Sequence, residues 1–159
     1  MEHRIVDITE IKLVGLDMMT SLSESKTEAL WKQFMPIAKT VPNKVADDFY
    51  SIQIYPDNID MDSFTPITEF SKWAAIAVND FDNIPAELKS ISIPKGKYVV
   101  FEHKGLASDF FRTSQYIYGT WFPGSGYALD QRPHFEVMGK DYKGPNDPNS
   151  IEQVYIPIK

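Results

Sequence analysis

The run RPHFEVMGKD, residues 132 to 141, places the carboxylate of Glu136 between two apolar neighbours, Phe135 and Val137. Side chains alternate faces along a strand, so Phe135 and Val137 point to one side while His134, Glu136 and Met138 point to the other. The first side is core. The second is either a solvated surface or a pocket in which a carboxylate waits for a partner. In a pocket the carboxylate would gain strongly from a cation that pairs with it, or, with its pKa raised by burial, would serve as a general base on water. On the residues alone the solvated alternative is the better one, because antiparallel sheets often keep one wet face.

The other reactive side chains point to less. His103 and His134 could be bases or ligands, but only three histidines occur, none at a recognised metal spacing, and hydrogen-bonded histidine is the simpler expectation. There is no cysteine, which excludes disulfides, thiolate metal sites and cysteine nucleophiles. The acidic loop over residues 57 to 62 lacks the glycine and terminal glutamate of a calcium loop. Gly124-Ser125-Gly126 follows a helical pattern and reads as a stop signal, not as a phosphate cradle. No dinucleotide fingerprint, phosphate loop or nucleophile elbow is present, and no metal or cofactor is expected.

Composition narrows the classes further. A length of 159 residues with 43% hydrophobic and 13% aromatic content suffices for one domain with a real core. A net charge of −6 and scattered basic residues argue against a nucleic-acid surface. The opening residues lack the charged head and long apolar run of an export signal, and no apolar stretch is long enough to span a bilayer. A cytoplasmic protein without membrane contact is expected.

The elements that must position Glu136 follow from periodicity. EIKLVGLDM from Glu10 reads as a strand, and Leu30, Trp31, Phe34, Ile37 and Ala38 recur at helical spacing over about 26 to 38. Two strands follow, one in DDFYSIQIY and one in EFSKWAAIAVND. The second half repeats the order: GKYVVFEHKG as a strand, LASDFFRTSQYIYGTWF as a helix, HFEVM and IEQVYIPIK as strands. Strand, helix, strand, strand written twice predicts an α+β fold of two tandem βαββ units, with pseudo-duplicate halves at about 1–85 and 86–159. The expectation is an antiparallel sheet with helices on one face and a ligand cleft on the other.

If the helices cover the side of Phe135 and Val137, the period of two assigns Ala74, Ile76, Val154 and Ile156 to that side. The opposite side then carries Phe49, Ser51, Gln53, Trp73, Ala75, His134, Glu136, Met138 and Tyr155. Aromatic walls around one acid suit a flat or cationic organic molecule, since ring faces attract positive charge.

The C-terminal half, with IPKGKYVVFEHKG, QYIYGTWFPGSGY, RPHFEVM and IEQVYIPIK over roughly residues 91 to 159, resembles the GyrI-like small-molecule-binding domain, the effector-binding domain of AraC-type bacterial transcription activators. In the first half the likeness lies in element order and in IKLVGLDM. The resemblance implies that Glu136 lies at the bottom of a hydrophobic pocket, which reverses the preference for a solvated face. It also implies that Trp121 and Tyr155 belong to that pocket. Family regulators join this domain to a helix-turn-helix DNA-binding domain, for which the sequence shows no pattern, so the chain resembles the stand-alone branch of one domain over 1–159. That branch includes drug-sequestering proteins, a DNA gyrase inhibitor, and hydrolases that open the cyclopropane ring of DNA-alkylating natural products. The resemblance thus implies a receptor for bulky aromatic, cationic compounds, with ligand contacts from Glu136, Trp121, Tyr155, Met138, Trp73, Phe49 and His134. It implies as alternatives a cyclopropanoid hydrolase with Glu136 as general base, and a protein partner such as gyrase.

Overall fold

A computed structural model describes residues 1–57 and 59–159; Asn58, in the Pro56–Asn58 turn and acidic loop expected from sequence, lies outside them. The described residues build one antiparallel sheet. Its strands are β1 (His3–Ile8), β2 (Ile11–Thr20), β3 (Phe49–Ile54), β4 (Phe70–Ala77), β5 (Lys89–Ile93), β6 (Gly96–Lys104), β7 (His134–Met138) and β8 (Ile151–Pro157). Helix α1 (Thr27–Ala38) joins β2 to β3, and α2 (Phe110–Tyr116) joins β6 to β7. After α2 the chain runs on through a wider π-helical turn (Ile117–Trp121) and a last turn, α3 (Phe122–Ser125). The fold is α+β, as the duplicated element order predicts.

Sheet order is β1-β6-β8-β7-β3-β4-β2-β5, which puts β7 and β3 at the centre and reads the same from either end if the two halves exchange places. The order carries a geometric constraint. Strands β1 and β2 are six neighbours apart, which in a flat sheet is about 29 Å, yet only Thr9 and Glu10 join them. A link of that length reaches at most about 11 Å between the flanking Cα atoms. The same holds for β5 and β6, joined by Pro94 and Lys95. The sheet must therefore curl until its two ends approach.

What it curls around is an apolar cluster that draws from both ends and the centre: Leu13, Ile93, Tyr98, Ile52 and Phe135, all essentially without solvent exposure. No helix is needed on that side. Helix α1 instead packs Leu30, Phe34 and Ala38 on Val14, Ala74 and Ile76, and the α2 segment packs Ile117 and Trp121 on Val99, Phe101, Val154 and Ile156. Each helix covers one flank of the outer face.

This corrects two expectations. The helices share the face of Glu136, not that of Phe135, so the carboxylate lies between helices and sheet. Residue parity in β4 and β8 is also the reverse of that expected. Ser51 pairs with Ala74 and with Glu136, and Glu136 with Val154, so Lys72, Ala74, Glu152 and Val154 share its face. Trp73 pairs with Ile52 and Tyr155 with Phe135, which places both in the inner cluster. The physical reason is that β4 is buried on both faces from Trp73 to Ala77, so no polar alternation marks its register.

Candidate functional site

The two helices leave the central strands between them uncovered by apolar packing, and polar side chains gather there. Glu136 projects from β7 with 8% of its surface exposed. Its Oε1 accepts a hydrogen bond of 3.2 Å from Nε2 of Gln53, the neighbour across β3, and the same amide donates to Ser51 Oγ at 3.3 Å. Phe49 and Met138 face each other one step along the same side. Phe49 also meets Trp31 and Phe34 edge-on, tying this floor to α1.

His134 pairs with Gln53 in the register and is buried. Its Nδ1 lies 3.1 Å from the hydroxyl of Tyr118, and its ring packs edge-on against Tyr55 at 4.8 Å. Tyr118 comes from the π-helical turn, where the extra residue per turn displaces side chains from ordinary helical positions; such turns recur at functional sites. Tyr118 also stacks on Phe122.

Burial governs the protonation states. It lowers the pKa of His134 from 6.5 to about 3, so the imidazole is neutral. It raises Glu136 from 4.5 to about 7, against the opposing pull of Lys72, with Glu152 adding to the rise and the Gln53 hydrogen bond reducing it. Tyr55 and Tyr118 are both held well above the ordinary phenol value by burial, and Glu136 adds to each. Lys72 is lowered by burial, against the pull of Glu136 and Glu152.

A cleft of about 660 Å³ opens beside this cluster. Ile59, Asp60, Met61 and Asp62 of the β3–β4 loop form one wall; Gln115, Tyr118, Gly119 and Phe122 form the other. Tyr118 is common to the cleft and to the buried row, so its ring stands between open space and the His134 and Glu136 side chains. Glu136 itself does not line the cleft.

The seven candidate residues thus separate. Glu136, His134, Met138 and Phe49 share the central outer face. Trp121 lies beneath the α2 segment, edge-on to Phe101 and to Phe122. Trp73 and Tyr155 lie on the far side of the sheet, where Tyr155 stacks on Phe135 at 4.5 Å. His103 is a structural histidine. Its Nε2 donates to the Leu106 carbonyl at 2.9 Å and its Nδ1 shares a hydrogen bond of 2.7 Å with Thr113 Oγ1, fastening the start of the α2 segment to β6.

Sequence reasoning missed Lys72, Tyr55, Tyr118 and Glu152. A signal was present for Lys72, the one charged residue in the otherwise apolar or small run of β4, FSKWAAIA. Tyr55 continues the alternation of Phe49, Ser51 and Gln53 one step past β3, which is a signal for its face, whereas Tyr118 gave none, because it sits on a turn whose period is not that of a regular helix.

Over residues 1–159 the chain matches the family described as GyrI-like small molecule binding domain. It is 29% identical over 158 residues to the transcriptional regulator BrlR of Pseudomonas aeruginosa, covering 99% of this chain and 56% of the regulator, so it spans about half of that relative. Its fold is similar to that of SAV2435 bound to tetraphenylphosphonium, with a TM-score of 0.74, 16% identity, and 100% and 94% of the two chains covered. It is also similar to a hydrolase encoded by lin2189 from Listeria innocua, with a TM-score of 0.62, 11% identity, and 99% and 92% covered. At these identities the structural likenesses establish the fold alone.

Proposed function

The chain belongs to the GyrI-like small molecule binding domain family, and from that premise we propose that it binds bulky aromatic cations, with Glu136 as the anionic end of the site. The observation that carries this reading is a carboxylate buried between two helices with one neutral side-chain donor, Gln53, and aromatic rings standing between it and a cleft. A buried carboxylate with one neutral donor and no direct ion pair among the described residues gains most from a cation brought to it without its water. Tyr118 and Phe122 of the cleft wall offer ring faces to the rest of such a ligand, Tyr55 packs on His134, and Asp60 and Asp62 at the loop wall favour its approach. Phe49 and Met138 supply the apolar floor. Trp121 acts from behind, holding Phe122 in place; Trp73 and Tyr155 support the sheet and take no ligand contact.

Tetraphenylphosphonium, the ligand named for the SAV2435 structure, is the natural probe. Calorimetric titration of this cation and of neutral triphenylphosphine oxide into the wild type and Glu136→Gln tests the assignment. The expected result is a preference for the cation in the wild type that disappears in the variant. Equal binding of both probes by the wild type would remove the role given to Glu136.

A second reading has its own support: a carboxyl with a pKa near 7 is matched to general-base work at neutral pH. In that reading Glu136 takes a proton from water as the oxygen bonds to a cyclopropane carbon, and the breaking ring bond leaves its electron pair on a conjugated carbonyl, which is then protonated. Mass spectrometry of a cyclopropane-bearing alkylating compound after incubation with each protein separates the readings. Catalytic gain of one water by the wild type, absent in Glu136→Gln, marks a hydrolase; unaltered compound marks a receptor.

A further inference from the structure

The central outer face carries a charge cluster larger than its glutamate. Lys72 stands opposite Gln53 on β4, Glu136 opposite Ser51 and Val154, and Glu152 opposite His103 on β8. All three share one side of the sheet. They sense one another: Lys72 draws both carboxyls down, Glu152 pushes Glu136 up, and burial works against every charge. Among the described residues Lys72 makes no direct ion pair, unlike the exposed partners Glu28 and Lys32 or Asp17 and Lys89. Its ammonium therefore acts on both carboxylates through space and is locked to neither.

Counting charges gives the consequence. Two carboxylates and one ammonium leave one negative charge when all are ionised. Beside these three, His134 is held neutral, Tyr55 and Tyr118 are held as phenols, Gln53 and Ser51 are uncharged, and His103, opposite Glu152, is engaged by the Leu106 carbonyl and Thr113. A ligand with one positive charge completes the cluster. A second positive charge would lie in a poorly hydrated site beside an ammonium that already answers it, at a cost that desolvation magnifies.

We propose, resting on the reading of the cleft as a cation site, that Lys72 determines the charge the pocket accepts: it satisfies one of the two carboxylates, Glu136 and Glu152, and so restricts the ligand to a lipophilic monocation.

The test compares tetraphenylphosphonium with a dication of two triphenylphosphonium groups on a short alkyl chain, titrated into wild type, Lys72→Met, Lys72→Gln and Glu152→Gln, with circular dichroism to verify folding. The wild type should prefer the monocation. Either Lys72 variant should shift the preference toward the dication by about tenfold or more, as expected for loss of one near, poorly screened charge. Glu152→Gln should weaken the monocation by about tenfold, because the cluster then sums to zero. An unchanged mono-to-dication ratio in folded Lys72 variants overturns the role of Lys72 while leaving the cation site standing. If the Lys72 variants do not fold, undiminished monocation binding by Glu152→Gln overturns it equally. Failure of all four proteins to bind either cation overturns the cation site and this inference together.

Discussion

The hydroxyl of Tyr118 and Nδ1 of His134, 3.1 Å apart, join the wall of the cleft to the floor of the sheet. One group comes from a widened helical turn and the other from the central strand β7, so the contact fixes how far the helical segment stands from the buried carboxylate. Tyr118→Phe keeps the ring and its stacking on Phe122 but leaves a buried imidazole nitrogen without its partner. Stability should fall by about 1 kcal/mol in urea denaturation. No loss would mean that water replaces the hydroxyl.

Glu136 gives stability a definite pH dependence. Its pKa rises from 4.5 to about 7 on folding, so the folded chain holds the proton more tightly. The stabilisation is full below 4.5 and is lost as pH rises through about 7. In Glu136→Gln this falling limb is absent. The variant should therefore gain on the wild type by about 2 kcal/mol between pH 4.5 and 7, read from denaturation midpoints across that range. A constant difference would contradict the raised pKa.

His134 slopes the other way. Its pKa falls from 6.5 to about 3, so its contribution is present above 6.5 and lost as pH falls through about 3. The two windows overlap between 4.5 and 6.5, where the opposed slopes offset each other, so the wild type should show a broad, shallow optimum over that overlap. Removal of the histidine in His134→Gln should flatten the acid side, an effect visible in thermal melts from pH 3 to 7.

Cation affinity should follow the ionised fraction of Glu136. Tetraphenylphosphonium should bind more weakly at pH 6 than at pH 8, by about tenfold if the proton and the ligand compete outright, while Glu136→Gln shows no such dependence. Lys72, Glu152 and the tyrosines face the same space. His103, opposite Glu152, faces it as well, and loss of the dependence in Glu136→Gln is what assigns it to the carboxyl of Glu136. A wild-type affinity independent of pH would show that the ligand does not meet the carboxylate.

Gly15 is irreplaceable for a reason unrelated to flexibility. A Cβ at this position in β2 would collide with the carbonyl oxygen of Ala74 and come within 2.8 Å of the Ala75 Cα, both backbone atoms of β4. Neither can yield without parting the two strands. Gly15→Ala should cost about 3 kcal/mol or more, and a variant of unchanged stability would require a different β2–β4 spacing.

Much of this architecture is legible in the sequence because its marks are local. Leu30, Phe34 and Ala38 recur with the helical period and do bury one face of α1, and Gly126 ends the α2 segment in the left-handed conformation that a glycine stop implies. Alternation in HFEVM separates Phe135 from Glu136 correctly. What fails is non-local. Strand β4 is apolar on both faces, so its sequence does not say whether Trp73 or Ala74 accompanies Glu136; only pairing with Ser51 settles it. Strands β1 and β5 escape a reading by halves, because each pairs with the strand that opens the opposite half. Lys72 escapes a sequence reading for the reason that misplaces Trp73, which is that the parity of β4 is undetermined.

The exchange of β1 and β5 between the halves has a consequence for how the chain reaches its native state. Strand β1 precedes the other seven strands of the sheet, yet its partner β6 begins at Gly96. Strand β2 likewise keeps an open edge until β5 arrives at Lys89. Neither half can satisfy its backbone alone, so the repeat does not act as two folding units. A ribosome-bound chain carrying only β1 to β4 leaves β1 without a partner, β2 open on its β5 side and β3 open on its β7 side, and closing the ring of strands is a late event set by pairings of high sequence separation. The clasp that curls the sheet, and that leaves a carboxylate stranded between the helices outside it, is thus the last part of the molecule to close.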